Sequence, residues 1–362
     1  MLKFQNIGLI AKKKYYRLIE MKDCTLIIPT YHRSNFLSVL LKYVEEFSID
    51  CPIIVADGST EDYFLNKNKE IINSLKKKNF KIEHFIDQSF FLKRIYLASK
   101  LVKTNYCKIN TDDDFFSANY IQKAIDLLAN DKSIATVTGY SVSFHLNPSN
   151  IKKSQFFLGE KENSNFKSIL DRFYYSKSNW YPWSMYRTKT FENIFEISKQ
   201  VTDNIPSSND FNEAMIFRLL AYTMKTQTLI EGKVKYINKC MNITTYHDSN
   251  WGKKHKIEST MEYLLEKNFI ESIDKLKNIV IRKNNISDKL IDKLIELVIV
   301  NDKHFYKPKH KRNLKERIFN LSISKLINYI KNEVKILKKN HLFVPIDGKN
   351  IINFLKKNNF NI

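Results

Sequence analysis

The sequence predicts an α/β fold in which a mostly parallel sheet is flanked by helices and followed by a helical C-terminal appendage. Between Cys24 and about Tyr140, short apolar runs alternate with amphipathic segments, as strand–helix–strand units require. From Lys253 onward the segments have helical periodicity and are rich in lysine. We therefore predict a helical extension over 1–22, an α/β domain over 23–250 and a basic helical region over 251–362.

The strands are predicted from short runs rich in β-branched residues and bounded by turn residues. Proline ends the first run, and an Asp-Gly pair closes the second. In chain order the predicted strands are CTLIIPT, CPIIVADGS, KIEHFI, YCKIN and SIATVTGYSV.

The helices are predicted from apolar residues that recur every three or four positions. In the first helix Phe36, Leu37, Leu40 and Val44 form one such face, and Ser34 is the expected N-cap. The predicted helices are SNFLSVLLKYVEEF, QSFFLKRIYLASKLV, ANYIQKAIDLLAN and FNEAMIFRLLAY.

The composition is that of a globular protein with a large positive charge. The net charge of +22 predicts an anionic partner such as nucleic acid, an acidic membrane surface or a phosphorylated substrate. The four cysteines form no CxxC pair, so we expect buried thiols in a reducing compartment. No run of eighteen apolar residues occurs, and the N-terminal cations stand in the wrong order for a secretory signal. We expect a cytoplasmic protein.

Three consecutive aspartates, Asp112, Asp113 and Asp114, follow the fourth predicted strand. One aspartate would suffice to cap the next helix, whereas three in a row repel one another unless a cation offsets their charge. Hard cations such as Mg²⁺ and Mn²⁺ prefer carboxylate oxygen and often bridge to phosphates. Alternate residues at a strand end can share a direction, so we predict that Asp112 and Asp114 share a metal. Asp57 also follows a strand, and ligands of parallel sheets bind at these ends.

Three segments together resemble the nucleotide-sugar domain of family-2-type glycosyltransferases with the GT-A fold. They are LIIPTYHRSNFLSVLLKYV, PIIVADGS and INTDDDFFSANYIQKAIDLL. The triple-aspartate form resembles a bacterial subgroup found in surface-polysaccharide gene clusters. The resemblance covers about residues 23–250.

The resemblance implies a set of donor-binding residues. Asp57 matches the aspartate that accepts a hydrogen bond from the base, and the charge of Lys93 would suit the diphosphate. Asp112 would bind the ribose or a metal-bound water, and Asp114 would hold a Mn²⁺ or Mg²⁺ ion. The implied nucleotide-sugar-binding residues are Pro29, Thr30, Tyr31, Arg33, Asp57, Lys93, Asp112 and Asp113.

The resemblance also implies a catalytic base and a third metal ligand. Inverting enzymes of this fold deprotonate the acceptor hydroxyl with a carboxylate, for which Glu213 and Asp210 are candidates. The same two acids equally suit the capped start of a helix. His247 matches a late histidine that completes the metal shell, although packed or surface histidines are as common.

The sequence gives the weakest indications for the residues that bind the acceptor. Trp180, Tyr181 and Trp183 offer flat surfaces on which a sugar ring could stack, but such clusters more often form core. By count, about 25 Lys and Arg stand against about 12 Asp and Glu in residues 251–362. This region could dock on an anionic membrane, hold a lipid-diphosphate or acidic glycan acceptor, or be a solvated face.

The sequence therefore predicts a metal-dependent glycosyltransferase that moves a sugar from a nucleotide-sugar to a growing surface glycan, with inversion. Two other classes are weighed against it. A metal-dependent nucleotidyltransferase or other phosphoryl-transfer enzyme would also cluster aspartates on an α/β sheet, but no Gly-rich phosphate loop occurs. A nucleic-acid-binding protein would explain the charge, but no recognisable nucleic-acid-binding module is present, so we expect no nucleic-acid partner.

Overall fold

The computed structural model describes residues 21–145, 163–164, 166–176, 182–207, 209–246, 266–306 and residue 354. The predicted extension over 1–22 therefore lies almost wholly outside the described residues. Eight strands form one mixed sheet in the order β3-β2-β1-β4-β7-β5-β8-β6.

The first half of the sheet is parallel. Strands β1 to β3 and β4 pair side by side in the same direction, and Thr30 at the end of β1 lies opposite Asp57 at the end of β2. The carboxyl ends of β1, β2 and β4 therefore meet at one edge of the sheet. The strands are β1 (Cys24–Thr30), β2 (Ile53–Asp57), β3 (Ile82–Ile86) and β4 (Tyr106–Ile109).

The helices between these strands cover the two faces of the sheet. They confirm the predicted α/β fold, although the helix Asp62–Lys76 between β2 and β3 was not predicted. One cap differs from the prediction, because Arg33 and not Ser34 occupies the N-cap of the first helix. The helices are α1 (Ser34–Glu46), α2 (Asp62–Lys76), α3 (Phe91–Ser99) and α4 (Ala118–Asn130).

The second half of the sheet is mixed. Strand β7 inserts antiparallel between β4 and β5, and β8 runs parallel to β5 on its far side. Two helices, α6 and α7, connect β7 to β8. The elements are β5 (Ile134–His145), β6 (Asn163–Ser164), α5 (Ile169–Tyr175), β7 (Met185–Arg187), α6 (Thr188–Thr202), α7 (Asp210–Glu231) and β8 (Lys233–Tyr246).

The core consists of two apolar clusters that take alternate residues of β1 and β2. Leu26 and Ile28 belong to the cluster beneath α1, α2 and α4, whereas Ile27 belongs to the cluster beneath α3, α6 and α7. This alternation is the geometry of a strand buried on both faces. The four cysteines Cys24, Cys51, Cys107 and Cys240 are buried free thiols, as predicted.

Two C-terminal helices, α8 (Lys267–Asn284) and α9 (Asp288–Tyr306), pack on α6 and α7. Phe269 of α8 meets Tyr222 of α7 edge-on at 6.0 Å between ring centroids. The first part of the predicted appendage thus shares the core of the α/β domain. No helix among the described residues is both long enough and apolar enough to cross a bilayer.

Phe354 is the one described residue beyond Tyr306, and it is buried. Its ring packs edge-on against Tyr43 and Phe47 of α1, at 5.7 and 6.2 Å between centroids. It also lies 6.3 Å from Phe115, which directly follows the three aspartates. Phe354 therefore contributes to the core behind the aspartates.

We expect Phe354→Ala to lower the free energy of unfolding by about 3–5 kcal/mol, because it leaves a cavity between three aromatic rings. Urea unfolding followed by circular dichroism measures the change. Ile270→Ala is the matched control, since Ile270 is 49% exposed on α8 and should change stability by less than about 0.5 kcal/mol. Equal losses in the two variants would show that the Phe354 contact is not formed.

Candidate active site

The carboxyl ends of β1, β2 and β4 form a crevice, which we call the strand-end crevice. Thr30, the last residue of β1, donates a hydrogen bond from Oγ1 to Asp112 Oδ2 at 2.8 Å. Pro29 is buried within β1. The structure thus brings Thr30, Asp57 and the aspartates together, as expected for polar residues at adjacent strand ends.

Asp57 is a buried carboxylate with several donors. Its Oδ1 accepts from the Ser59 backbone N–H at 2.9 Å, and its Oδ2 accepts from Asn68 Nδ2 at 2.8 Å and from His84 Nε2 at 2.9 Å. Burial alone would raise the pKa of Asp57, but these hydrogen bonds outweigh it and the pKa is lowered. Asp57 is therefore held as a buried, ionised carboxylate at the end of β2, with three of its about four acceptor positions directed toward protein groups.

A stacked aromatic run follows β1. The Tyr31 ring is 52% exposed and stacks on His32 at 4.1 Å between centroids, and His32 stacks on Phe64 at 4.9 Å. His32 has a φ of 52°, in the left-handed region that non-glycine residues rarely adopt. The Thr60 backbone N–H donates to His32 Nε2 at 2.9 Å and holds this conformation. The result is a flat, exposed platform beside Asp57.

Helix α3 presents Arg94 to the crevice. A Cβ on Gly58 would lie only 1.6 Å from Arg94 Nη1, so the guanidinium packs directly against the Gly58 backbone. Arg94 is 5% exposed and donates to the backbone oxygens of Asp87 and Ser89. Its Nε is buried without a hydrogen-bond partner among the described residues. Burial lowers the Arg94 pKa, against the nearby Asp57 charge.

Lys93, the residue suggested by the family resemblance, lies elsewhere. It is exposed and lines a small cleft together with Lys199 of α6 and Asp203, the C-cap of α6. The structure therefore places the neighbouring Arg94, which the sequence prediction missed, beside Gly58 and Asp57. In the sequence, the only signal that pointed to Arg94 was its position next to Lys93.

Arg33 joins two of the three aspartates. Its Nη2 lies 2.5 Å from Asp113 Oδ2, and its Nη1 lies 3.3 Å from Asp112 Oδ1. The guanidinium also stacks over Phe36 at 4.4 Å. Burial would lower the pKa of Arg33, but Asp112 and Asp113 outweigh it and raise the pKa. Burial raises the pKa of Asp112, against the opposing charge of Arg33.

Asp114 faces the other way, toward β8. Its Oδ2 accepts from Thr111 Oγ1 at 2.7 Å and from Asn242 Nδ2 at 3.2 Å, and its Oδ1 accepts from the Thr245 backbone N–H at 3.2 Å. Burial and the neighbouring Asp113 charge raise the pKa of Asp114, against these hydrogen bonds. Asn242 and Thr245 lie about 130 residues away, and no sequence pattern pointed to them.

The remaining predicted residues are less closely connected to the crevice. Asp210 and Glu213 lie in the first turn of α7, where Asn209 is the N-cap and accepts from the Asn212 backbone N–H. One turn after Glu213, Phe217 contacts Phe90 and Phe91 at the start of α3. Trp183 packs against the core cluster beneath α4. His247, Trp180 and Tyr181 lie outside the described residues.

A divalent cation fits the donor set of Asp112 and Asp113. Both carboxylates already approach one cationic group, the Arg33 guanidinium, and oxygen donors suit Mg²⁺ and Mn²⁺. Within the described part of the chain, no point is surrounded by three or more His, Cys, Asp or Glu side chains. Such ions are often held by one or two carboxylates together with substrate phosphates.

Comparison with known proteins now identifies the family. The family model "Glycosyl transferase family 2" matches residues 25–216, more than half of the chain. The chain belongs to glycosyl transferase family 2. It is an enzyme that depends on nucleotide-sugars. The matched range begins in β1, ends in α7 and includes the strand-end crevice.

Several solved structures are similar to this chain. S. aureus TarS 1–349 superposes with a TM-score of 0.50 at 11% identity, covering 85% of this chain and 78% of that one. A longer S. aureus TarS chain gives 0.49 at 10% identity and 83% coverage, and this chain spans 46% of its length. The mannosyltransferase PcManGT from Pyrobaculum calidifontis, solved with GDP-Man and Mn²⁺, gives a TM-score of 0.40 at 10% identity. The match covers 93% of this chain and 87% of that one. Comparison with curated protein sequences gives no match. At these identities the likeness concerns the GT-A fold alone.

A buried lysine lies beneath the aspartates. Lys108 of β4 is completely buried, and its Nζ donates to the Ile109 carbonyl at 3.1 Å. Burial lowers its pKa from 10.5 to about 7, although the Asp114 charge opposes this shift. In the sequence, Lys108 stood out only as one residue of a predicted strand.

We expect the free energy of unfolding to rise with pH between about 7 and 10.5 because of Lys108. In this window the unfolded chain holds a proton on Lys108 that the folded chain has lost, so raising the pH favours folding by up to about 1.4 kcal/mol per unit. Urea unfolding at several pH values should show a smaller slope in Lys108→Met. Lys189→Met, at an exposed lysine, should keep the wild-type slope. Equal slopes in wild type and Lys108→Met would contradict the expectation.

Proposed function

We propose that this family-2 enzyme transfers a sugar from a nucleoside-diphosphate donor to a hydroxyl of a growing surface glycan, in a reaction that needs a divalent cation. The observation that carries the proposal is the grouping of Asp57, Arg33 and the aspartates at one strand-end crevice. This grouping offers a base-binding carboxylate, a cation and a carboxylate pair within a single site.

The nucleoside would lie over the Tyr31 platform and beside Asp57. A base has a flat face that stacks on an exposed ring, and stacking on aromatic side chains contributes about 1–3 kcal/mol per base. Asp57 is kept ionised by its donors, so it can accept a hydrogen bond from a ring N–H. Arg94 carries a buried Nε that could donate to a base carbonyl or to a donor phosphate.

The diphosphate would lie at the Arg33, Asp112 and Asp113 end of the crevice. A divalent ion held there by Asp112 and Asp113, when bound, offsets the negative charge that develops on the leaving diphosphate. Arg33 has two roles in this proposal. It neutralises the two carboxylates between turnovers, and its guanidinium can donate to phosphate oxygens.

The base for the acceptor hydroxyl would come from the first turn of α7. Phe217 links this helix to the start of α3, and Glu213 precedes Phe217 by one turn on the same side of the helix. Glu213 is therefore our first candidate for the base and Asp210 the second. The acceptor oxygen would give its proton to this carboxylate and bond to the anomeric carbon on the face opposite the leaving diphosphate, as the bond to the diphosphate breaks. This single displacement would invert the anomeric carbon.

The acceptor and the location are proposed from the family resemblance. The triple-aspartate form suggests a capsule, lipopolysaccharide or similar glycan, made at the cytoplasmic side of the membrane. The lysine excess of residues 251–362 would favour contact with an anionic lipid surface, at about 1 kcal/mol for each lysine close to it.

A panel of UDP-, GDP- and CMP-sugars tests the proposed function. We expect release of the nucleotide from at least one donor in the presence of Mn²⁺ or Mg²⁺, and none after chelation with EDTA. Nucleotide release coupled to an enzymatic assay is the measurement. If no donor gives turnover or a thermal shift with either metal, the proposed function is wrong.

We expect Gly58→Ala to weaken nucleotide binding by about 10- to 100-fold, because the new methyl group displaces the Arg94 guanidinium and its hydrogen bonds. Calorimetry with the nucleotide of the active donor measures the loss. Arg94→Ala should cause a similar loss, and the double variant should lose little more, since both changes remove the same interaction. Additive losses would show that Gly58→Ala does not act through Arg94, and unchanged affinity in Arg94→Ala would place Arg94 outside the binding site.

A further inference from the structure

The Asp114 carboxylate is enclosed by the protein. It is 3% exposed, as is Asp112, but its two oxygens accept three hydrogen bonds, from Thr111, Asn242 and Thr245. Two of these donors belong to β8, which lies four strands away from β1 in the sheet. Since a carboxylate has about four acceptor positions, three are already directed toward protein groups.

The backbone on both sides of Asp114 is also attached to β8. Phe115 exchanges both backbone hydrogen bonds with Ile243, at 2.9 and 2.7 Å. Thr245 Oγ1 donates to the Asp113 carbonyl at 2.5 Å. The turn formed by residues 111–114, which we call the aspartate turn, is therefore fixed to β8 through side chain and backbone together.

Asp112 and Asp113 have the opposite orientation. Asp112 accepts from Thr30 of β1 and approaches Arg33, and Asp113 is paired with the same guanidinium. These two carboxylates face the strand ends where the proposed diphosphate lies. The structure thus divides the three aspartates into a pair directed at the crevice and one residue directed at β8.

We propose that Asp114 is a positioning residue. It fixes the aspartate turn on β8, so that Asp112 and Asp113, and not Asp114, present their oxygens to the metal and diphosphate. This inference rests on the proposed function for the identity of the ligand. It replaces the sequence-based expectation that Asp112 and Asp114 hold the metal together.

A reciprocal exchange of side chains separates the two roles. In Asp114→Asn an amide nitrogen in place of Oδ2 would face the Thr111 Oγ1 and Asn242 Nδ2 donors, so with Asn242 in its present orientation the hydrogen bond from Asn242 is lost. In Asn242→Asp two buried carboxylates would face each other, which is strongly unfavourable. The double variant restores a carboxylate–amide pair at the same place, with the charge moved to β8. A positioning role survives this exchange, whereas a metal ligand at position 114 does not.

The experiment measures Mn²⁺ binding by electron paramagnetic resonance in the presence of UDP, and separately of GDP. We expect Asp112→Asn and Asp113→Asn to lose Mn²⁺ binding while still folding. Asp114→Asn should weaken Mn²⁺ affinity by about 10- to 100-fold, as is usual when a group that orients metal ligands is removed. The double variant Asp114→Asn with Asn242→Asp should recover most of this loss.

Thermal unfolding of the same variants gives a second measurement that needs no ligand. Each single change at 114 or 242 should lower the unfolding midpoint, and the double variant should be more stable than the sum of the two losses predicts. Additive losses would overturn the positioning role. A double variant that binds Mn²⁺ no better than Asp114→Asn would also overturn it, because Asp114 would then be a ligand.

The outcomes also distinguish this inference from the proposed function. If the wild type binds Mn²⁺ with neither UDP nor GDP, the metal part of the proposed function fails. The unfolding measurements on positions 114 and 242 then still test the attachment of the aspartate turn to β8, since they depend only on the hydrogen bonds between them. The presentation of Asp112 and Asp113 to a metal falls with the proposed function.

Discussion

The strand-end crevice depends on how three buried carboxylates are kept close together. Adjacent negative charges in a poorly solvated place are costly, and burial raises the pKa of both Asp112 and Asp114. The protein offsets this cost in two directions. Arg33 neutralises the pair that faces the crevice, and donors from Thr111 and β8 surround the third carboxylate.

This arrangement explains the position of other residues. Arg33 occupies the N-cap of α1 but cannot cap it, because a guanidinium has no acceptor, and its side chain is directed to the aspartates. Thr30 ends β1 at the point where its hydroxyl reaches Asp112. Local preferences for capping and turn formation are thus overruled by the electrostatic requirement of the site, as functional sites often require.

The sequence allowed the first half of the fold to be predicted well. Strand β1 and helix α4 have the predicted bounds, because apolar periodicity and turn residues are local signals. Strand β7 was not predicted, since its three residues lie within an aromatic segment and carry no period of their own. The direction and neighbours of β8 are set by pairing with β5, which no local pattern encodes.

The candidate site, like the fold, was predicted only in part. Asp57 was expected at the crevice because it lies at the end of a predicted strand, whereas Thr30 and Arg33 were expected there from the family resemblance. Arg94 was missed in favour of Lys93, because the side of α3 that faces Gly58 depends on a helix rotation of one residue. His84, Asn68 and Asn242 became visible only through the hydrogen bonds that they make with Asp57 and Asp114.

The attachment of the aspartate turn to β8 has a consequence for how the chain folds. The contacts of Asp114 with Asn242 and Thr245 join residues 128 and 131 positions apart. Closing a loop of this length costs entropy before the contacts can form, and such long-range pairings slow folding. During synthesis from the N-terminus, the aspartates emerge long before β8 does. A nascent chain can therefore form β1 to β4 and their helices while its three carboxylates still lack the partners that fix their directions.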